Sequence, residues 1–155
     1  MKEVLTVEMQ IAARARKYPG EALTNLHEFI NVDMLNACFD SLNKKGASGV
    51  DGEKWIDYNK QREERIPQLL TAFKSGVYRA PHIRRVLIPK GEGKYRPLGL
   101  PTLEDKLLQT SVTRVLTPVY EEIFYSCSYG FRPGKSQHQA LEELSREVSV
   151  NRMRY

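Results

Sequence analysis

The chain has 155 residues, 41% hydrophobic and 28% charged, with ten glycines and eight prolines; that suffices for one medium domain and excludes both wholesale disorder and a large enzyme. Its net charge of +5 is localised, because residues 1–74 carry eleven basic and eleven acidic residues, residues 100–155 seven of each, and residues 75–99 six basic residues against Glu92 alone. Cys38 and Cys127 lie far apart without zinc-ligand spacing, and no secretory h-region or membrane-length apolar run occurs, so reduced thiols, a cytoplasmic location and no membrane partner are expected.

In chain order, Val4, Val7, Ile11 and Ala15 fall near helical spacing, and Pro19-Gly20 ends that helix. After a short connection, Asn31 is placed to cap a second helix with an apolar stripe of Leu35, Cys38, Phe39 and Leu42, punctuated by Gly46. Residues 44–52, KKGASGVDG, are too rich in small side chains for helix or central strand and read as a mobile loop with basic residues at its start. Residues 55–73 return to helical character, with Pro67 expected to divide the segment or open its second piece.

From Val77 the character changes. Residues 77–81 and 83–88 are rich in β-branched residues and interrupted by Pro81, and both read as strands. Gly91-Glu92-Gly93 supplies a turn, making residues 83–100 a β-hairpin that carries the concentrated positive charge. Thr102 and Asp105 suit the start of an amphipathic helix with Leu103, Leu107, Leu108, Val112, Val115 and Leu116 inward, ended or kinked at Pro118. A turn-rich loop at residues 129–135 follows, and Ser136 with Gln139 offers a capping box for a last helix through Val148.

A two-stranded ribbon with Arg84, Arg85, Lys90, Lys94 and Arg96, and with Tyr78 and Tyr95 interleaved, has the requirements of a polyphosphate or nucleic-acid surface. Lysine supplies a point charge and arginine a fork for phosphate oxygens. The bland alternative is an edge hairpin that uses charge against aggregation. Arg132 and Lys135 sit where Gly130 and Gly134 permit close approach of a nucleic acid, or else the tight turn orders Arg132 as a helix-capping residue. His27, His82 and His138 are isolated and read as ordinary residues.

Three segments in order carry a family resemblance. IRRVLIPKGEGKYRPLGLPTLEDKLLQTSVTRVL at residues 83–116 resembles the second conserved block of group II intron reverse transcriptases. YSCSYGFRPGKSQHQAL at residues 125–141 resembles the block that follows it, and NKKGASGVDG at residues 43–52 the family's extra N-terminal block. The resemblance implies an α+β fold, the fingers subdomain of a right-hand polymerase, with N-terminal helices and a basic antiparallel β-hairpin packed on helices. It divides the chain into a helical extension at residues 1–43 and partial fingers at residues 44–155, without palm or thumb.

By that resemblance, Lys90 and Arg96 hold the triphosphate of the incoming dNTP. Lys44, Lys45, Gly46, Ser48, Arg84, Arg85, Lys94, Arg132 and Lys135 meet template or intron RNA, and a DNA primer joins the complete protein. The family's two-metal chemistry needs Mg2+ held by palm aspartates, one in a strand and two in a Tyr-Ala-Asp-Asp turn. Neither motif occurs here, and the sequence ends at residues 151–155, where the family would run into the strand with the first aspartate. The paired acidic residues Glu104-Asp105, Glu121-Glu122 and Glu142-Glu143 fall on helices beside balancing cations and read as solvated faces. The expectation is thus an N-terminal fragment of an RNA-directed DNA polymerase and maturase that does not extend a primer alone. The alternatives are a stand-alone, non-catalytic RNA-binding module and a truncated gene remnant.

Overall fold

The computed structural model describes residues 6–151. Val4 of the first apolar stripe and residues 152–155 lie outside the described residues. The element order is α1 (Val7–Lys17), a 3-10 turn (Leu26–Phe29), α2 (Val32–Ser41), α3 (Trp55–Asn59), α4 (Arg62–Lys74), β1 (Arg84–Gly91), β2 (Lys94–Leu100), α5 (Leu103–Ile123) and α6 (Gln137–Asn151). The molecule is therefore α+β, with one two-stranded antiparallel sheet among the described residues. No helix among them is long and apolar enough to cross a membrane.

Local chemistry starts these helices where the sequence places its caps. The Thr6 hydroxyl accepts from the Met9 amide at 3.3 Å, Asn31 Oδ1 from the Met34 amide at 2.8 Å, and the Thr102 hydroxyl from the Asp105 amide at 3.4 Å. At α6 the box is reciprocal: the Ser136 amide donates to Gln139 Oε1 at 2.8 Å and the Gln139 amide to Ser136 Oγ at 3.3 Å. Each bond satisfies an amide that the first helical turn cannot.

The long α5 is the spine, against which α1 and α2 pack, while α4 packs on α2. Ile11, Leu35, Phe39, Tyr58, Ile66 and Leu107 are fully buried in one cluster. Both sides of residue 43 contribute to it. Phe39 stacks on Trp55 with centroids 4.8 Å apart and lies 5.4 Å from the Tyr58 ring, and Trp55 Nε1 donates to the Phe39 carbonyl at 3.1 Å. This aromatic block fastens the short α3 onto α2.

Four expectations need correction. Residues 77–81 form no strand, because they find no partner; the Tyr78 amide instead returns to the Ala72 carbonyl at 3.0 Å, beyond the end of α4. Pro67 neither divides nor opens a helix but lies inside α4, and the break falls at Lys60 and Gln61. Pro118 does not end α5 but lies inside it, five residues before its end, with Val115 buried and Val119 half-buried on the core side to carry the helix past it. Finally, the hairpin is not packed on the helices. Most of its residues are exposed, Leu87 at 60% and Tyr95 at 64%, and its pairing is almost entirely within itself. Charge on both of its faces leaves neither one apolar enough to bury.

Candidate nucleic-acid interface

The register pairs Arg84 with Leu100, Arg85 with Gly99, Val86 with Leu98, Ile88 with Arg96 and Pro89 with Tyr95. Since opposite residues share a face and side chains alternate, Arg84 and Arg96 lie on one face with Val86, Ile88 and Leu98. Arg85 lies on the other with Leu87 and Tyr95. A shift in the register between Pro89 and Gly91 leaves Lys90 without a cross-strand partner. The chain then reverses through Gly91, Glu92 and Gly93, all at positive φ. Lys94 reaches Glu92 at 3.5 Å, whereas Arg84, Arg85, Lys90 and Arg96 are exposed and make no ion pair among the described residues.

Several arginines of the helical body behave differently. Arg62 meets Asp40 at 2.8 Å, Arg114 meets Glu8 at 2.6 Å, Arg16 meets Glu122 at 2.8 Å, and Arg65 meets both Glu53 and Glu104. Glu8 is held below the ordinary carboxylate value, chiefly by a backbone hydrogen bond and then by Arg114. With these body arginines neutralised, the net positive charge is concentrated on the segment that carries the hairpin.

The loop at residues 44–52, expected from its small residues to be mobile, packs against the start of α5 at two points. Gly49 is buried so closely on Thr102 that a Cβ there would lie 2.7 Å from the Thr102 Cα and N. Lys106 Nζ donates to the Ala47 carbonyl at 2.6 Å. Lys44 Nζ rests 4.8 Å from the centre of the Trp55 ring, while Lys45 and Gly46 are exposed and Ser48 is half-buried.

In the loop at residues 129–135 the two cations part company. The Arg132 side chain is only 8% exposed; it pairs with Glu121 at 2.9 Å, donates to the Tyr125 and Ser128 carbonyls at 3.0 and 2.8 Å, and lies over the Phe124 ring. Its hydrogen bond holds the Glu121 carboxyl below its ordinary value. The Arg132 fork thus ties the turn at residues 125–128 to Glu121 of α5 rather than capping a helix end, and its donors are taken up within the fold. Lys135 remains exposed, with its ammonium 5.2 Å from the Tyr129 ring centre. Phe131 stands fully exposed at φ 57°, a strained setting for an aromatic residue.

Sequence reasoning missed Arg65. Its partners are 12 and 39 residues away, so no local spacing announces it. Among the described residues no three His, Cys, Asp or Glu side chains gather as a metal site.

No family model matches the sequence. It is 33% identical over 152 residues to the group II intron-encoded protein LtrA of Lactococcus lactis subsp. cremoris, a match covering 95% of this chain and 25% of that protein. Protein YkfC of Escherichia coli strain K12 is 36% identical over 111 residues, covering 70% of the chain and 29% of that protein. An uncharacterized 91 kDa protein in the cob intron of Schizosaccharomyces pombe is 31% identical over 146 residues, covering 92% and 18%. The chain spans about a quarter of the length of the first of these relatives. With its likeness running through nearly its whole length, this chain belongs to the group II intron-encoded proteins.

Proposed function

We propose that this chain is the RNA- and nucleotide-binding fingers portion of a group II intron-encoded RNA-directed DNA polymerase and maturase. The observation that carries this reading is the contrast in pairing: four exposed hairpin cations, Arg84, Arg85, Lys90 and Arg96, have no carboxylate, while Arg16, Arg62, Arg65 and Arg114 of the helical body each have one or two. Unpaired, solvated cations on a projecting ribbon attract phosphates without first breaking an ion pair.

In this reading Lys90 and Arg96 hold the triphosphate of an incoming dNTP, lysine as a point charge and arginine through its fork. Arg84, Arg85, Lys94, Lys44, Lys45, Gly46, Ser48 and Lys135 meet template or intron RNA. Arg132 serves the fold instead. Mg2+ and a DNA primer enter with the remainder of a complete polymerase. The carboxylates among the described residues do not converge on a metal pair, so no catalytic step is assigned to this chain, which is expected not to extend a primer by itself.

The test is the affinity for a labelled single-stranded RNA across a salt series, repeated with millimolar dNTP. Affinity should fall steeply with salt, and Arg85→Ala should flatten the log-log slope by about 0.7 for each phosphate that Arg85 neutralises. Arg96→Ala should remove the response to dNTP. Salt-independent binding sinks the reading. RNA binding that ignores dNTP and survives Arg96→Ala favours the stand-alone binding module.

A further inference from the structure

The loop at residues 44–52 and the hairpin are 30 or more residues apart in sequence, yet they share one foundation. Three ties join the loop to the first turn of α5, which follows β2 after only Pro101 and Thr102. Ala47 receives the Lys106 ammonium, Gly49 lies against the Thr102 backbone, and Glu53, just beyond the loop, reaches Glu104 through Arg65. Arg65 comes from α4, places one nitrogen on Glu53 and the other 2.8 Å from Glu104 Oε1, and lies 4.1 Å over the Tyr58 ring. The three charged side chains are each less than a third exposed.

The third tie differs from the other two in its electrostatics. Without the guanidinium, Glu53 and Glu104 would face each other as like charges, and their repulsion would push the loop's end away from the hairpin's root. A lysine could serve one carboxylate but not fork between both.

We infer that Arg65 is a positioning residue for nucleic-acid binding, a clamp that holds the 44–52 loop and the hairpin root in one register so that Lys45 and the hairpin cations form a single phosphate-binding surface. This rests on the reading of the hairpin and loop as an RNA surface. Arg65 itself, covered by two carboxylates and a ring, touches no phosphate. Its effect passes through Lys45, which is exposed and free of ion pairs among the described residues.

A double-mutant cycle on RNA affinity separates positioning from plain stability. Lys45→Ala should weaken binding in the parent protein, and the factor by which it does so should shrink at least about threefold when Arg65→Gln is already present. Arg85→Ala, on the hairpin, should cost the same factor in both backgrounds, and Arg65→Lys should give an intermediate coupling. Where Arg65→Gln fails to fold by circular dichroism, Glu53→Gln reads the same coupling from the loop side. Equal losses for Lys45→Ala in both backgrounds, or no loss in either, overturn the inference and leave RNA binding by the hairpin standing. Absence of salt-sensitive RNA binding by the parent protein instead removes the reading on which it rests.

Discussion

Tyr58 is completely buried, and its hydroxyl has no hydrogen-bond partner among the described residues; the Tyr78 hydroxyl is likewise without one. Burial above all, and then the negative charge of Glu104, pushes the Tyr58 phenol far above its usual value, while burial and Asp105 push Tyr78 up to about 12. Because the neutral phenol is favoured in the folded state, this stabilisation is complete below the ordinary value of 10.0 and is lost as pH rises through it toward the folded value. Tyr58→Phe should therefore flatten the alkaline loss of stability. At neutral pH it should leave stability unchanged or raise it, since an orphan hydroxyl contributes a desolvation cost of about 1–3 kcal/mol and the ring stacking persists. Urea midpoints of both proteins at pH 7 and at about pH 10.5 check this; a loss on substitution at pH 7 would mean that the hydroxyl holds a bond after all. Arg132 and Arg65 mark the limit of legibility at this scale. A basic residue reads the same in sequence whether it faces a phosphate or Glu121, and only the folded position of the carboxylate decides.

Helices are the most legible elements because their signals are local. Asn31, Thr102 and the Ser136–Gln139 pair lie within three residues of the amides they satisfy, so the spacing alone contains the interaction. The errors share the opposite cause. Proline inside α4 removes the amide that would pair with the Glu63 carbonyl, yet Ile66 and Leu69, on either side of it, are buried and hold the helix through. Residues 77–81 have strand composition, but a strand exists only with a partner. The loop at residues 44–52 reads as free because small residues suit close packing as well as mobility, and nothing local tells the two apart. Gly49→Ala should expose this packing. The new Cβ would meet backbone atoms at 2.7–2.8 Å, which cannot rotate away, and the expected cost is on the order of 1–3 kcal/mol. Amide exchange at residues 46–53 should rise with it, whereas an unchanged midpoint and unchanged exchange would show that the loop does not depend on that close approach.

At the scale of the molecule, the buried core and the candidate nucleic-acid interface occupy different parts. The buried cluster lies entirely on helices and on Ile30 beside them, with no contribution from β1 or β2. The hairpin's pairing is almost wholly internal, and Leu87, Tyr95 and Leu98 stay exposed while Val86, Ile88 and Leu100 are only half-buried; a ribbon of two strands alone is marginal in water. The body therefore should fold with little help from the hairpin, while the hairpin depends on the body to hold its ends. Arg84 and Leu100 are cross-strand partners, so a short Gly/Ser bridge in place of residues 85–99 can close the gap without displacing α5. The shortened protein should keep the helical circular dichroism signal and a melting midpoint within a few degrees of the parent, since it loses no buried apolar side chain of the cluster. Its affinity for single-stranded RNA should fall by at least about tenfold, because three of the five net positive charges leave with residues 85–99. If the helices melt instead, the hairpin is a structural part of the core; if they persist and RNA still binds as tightly, the loop at residues 44–52 and Lys135 hold the RNA without it.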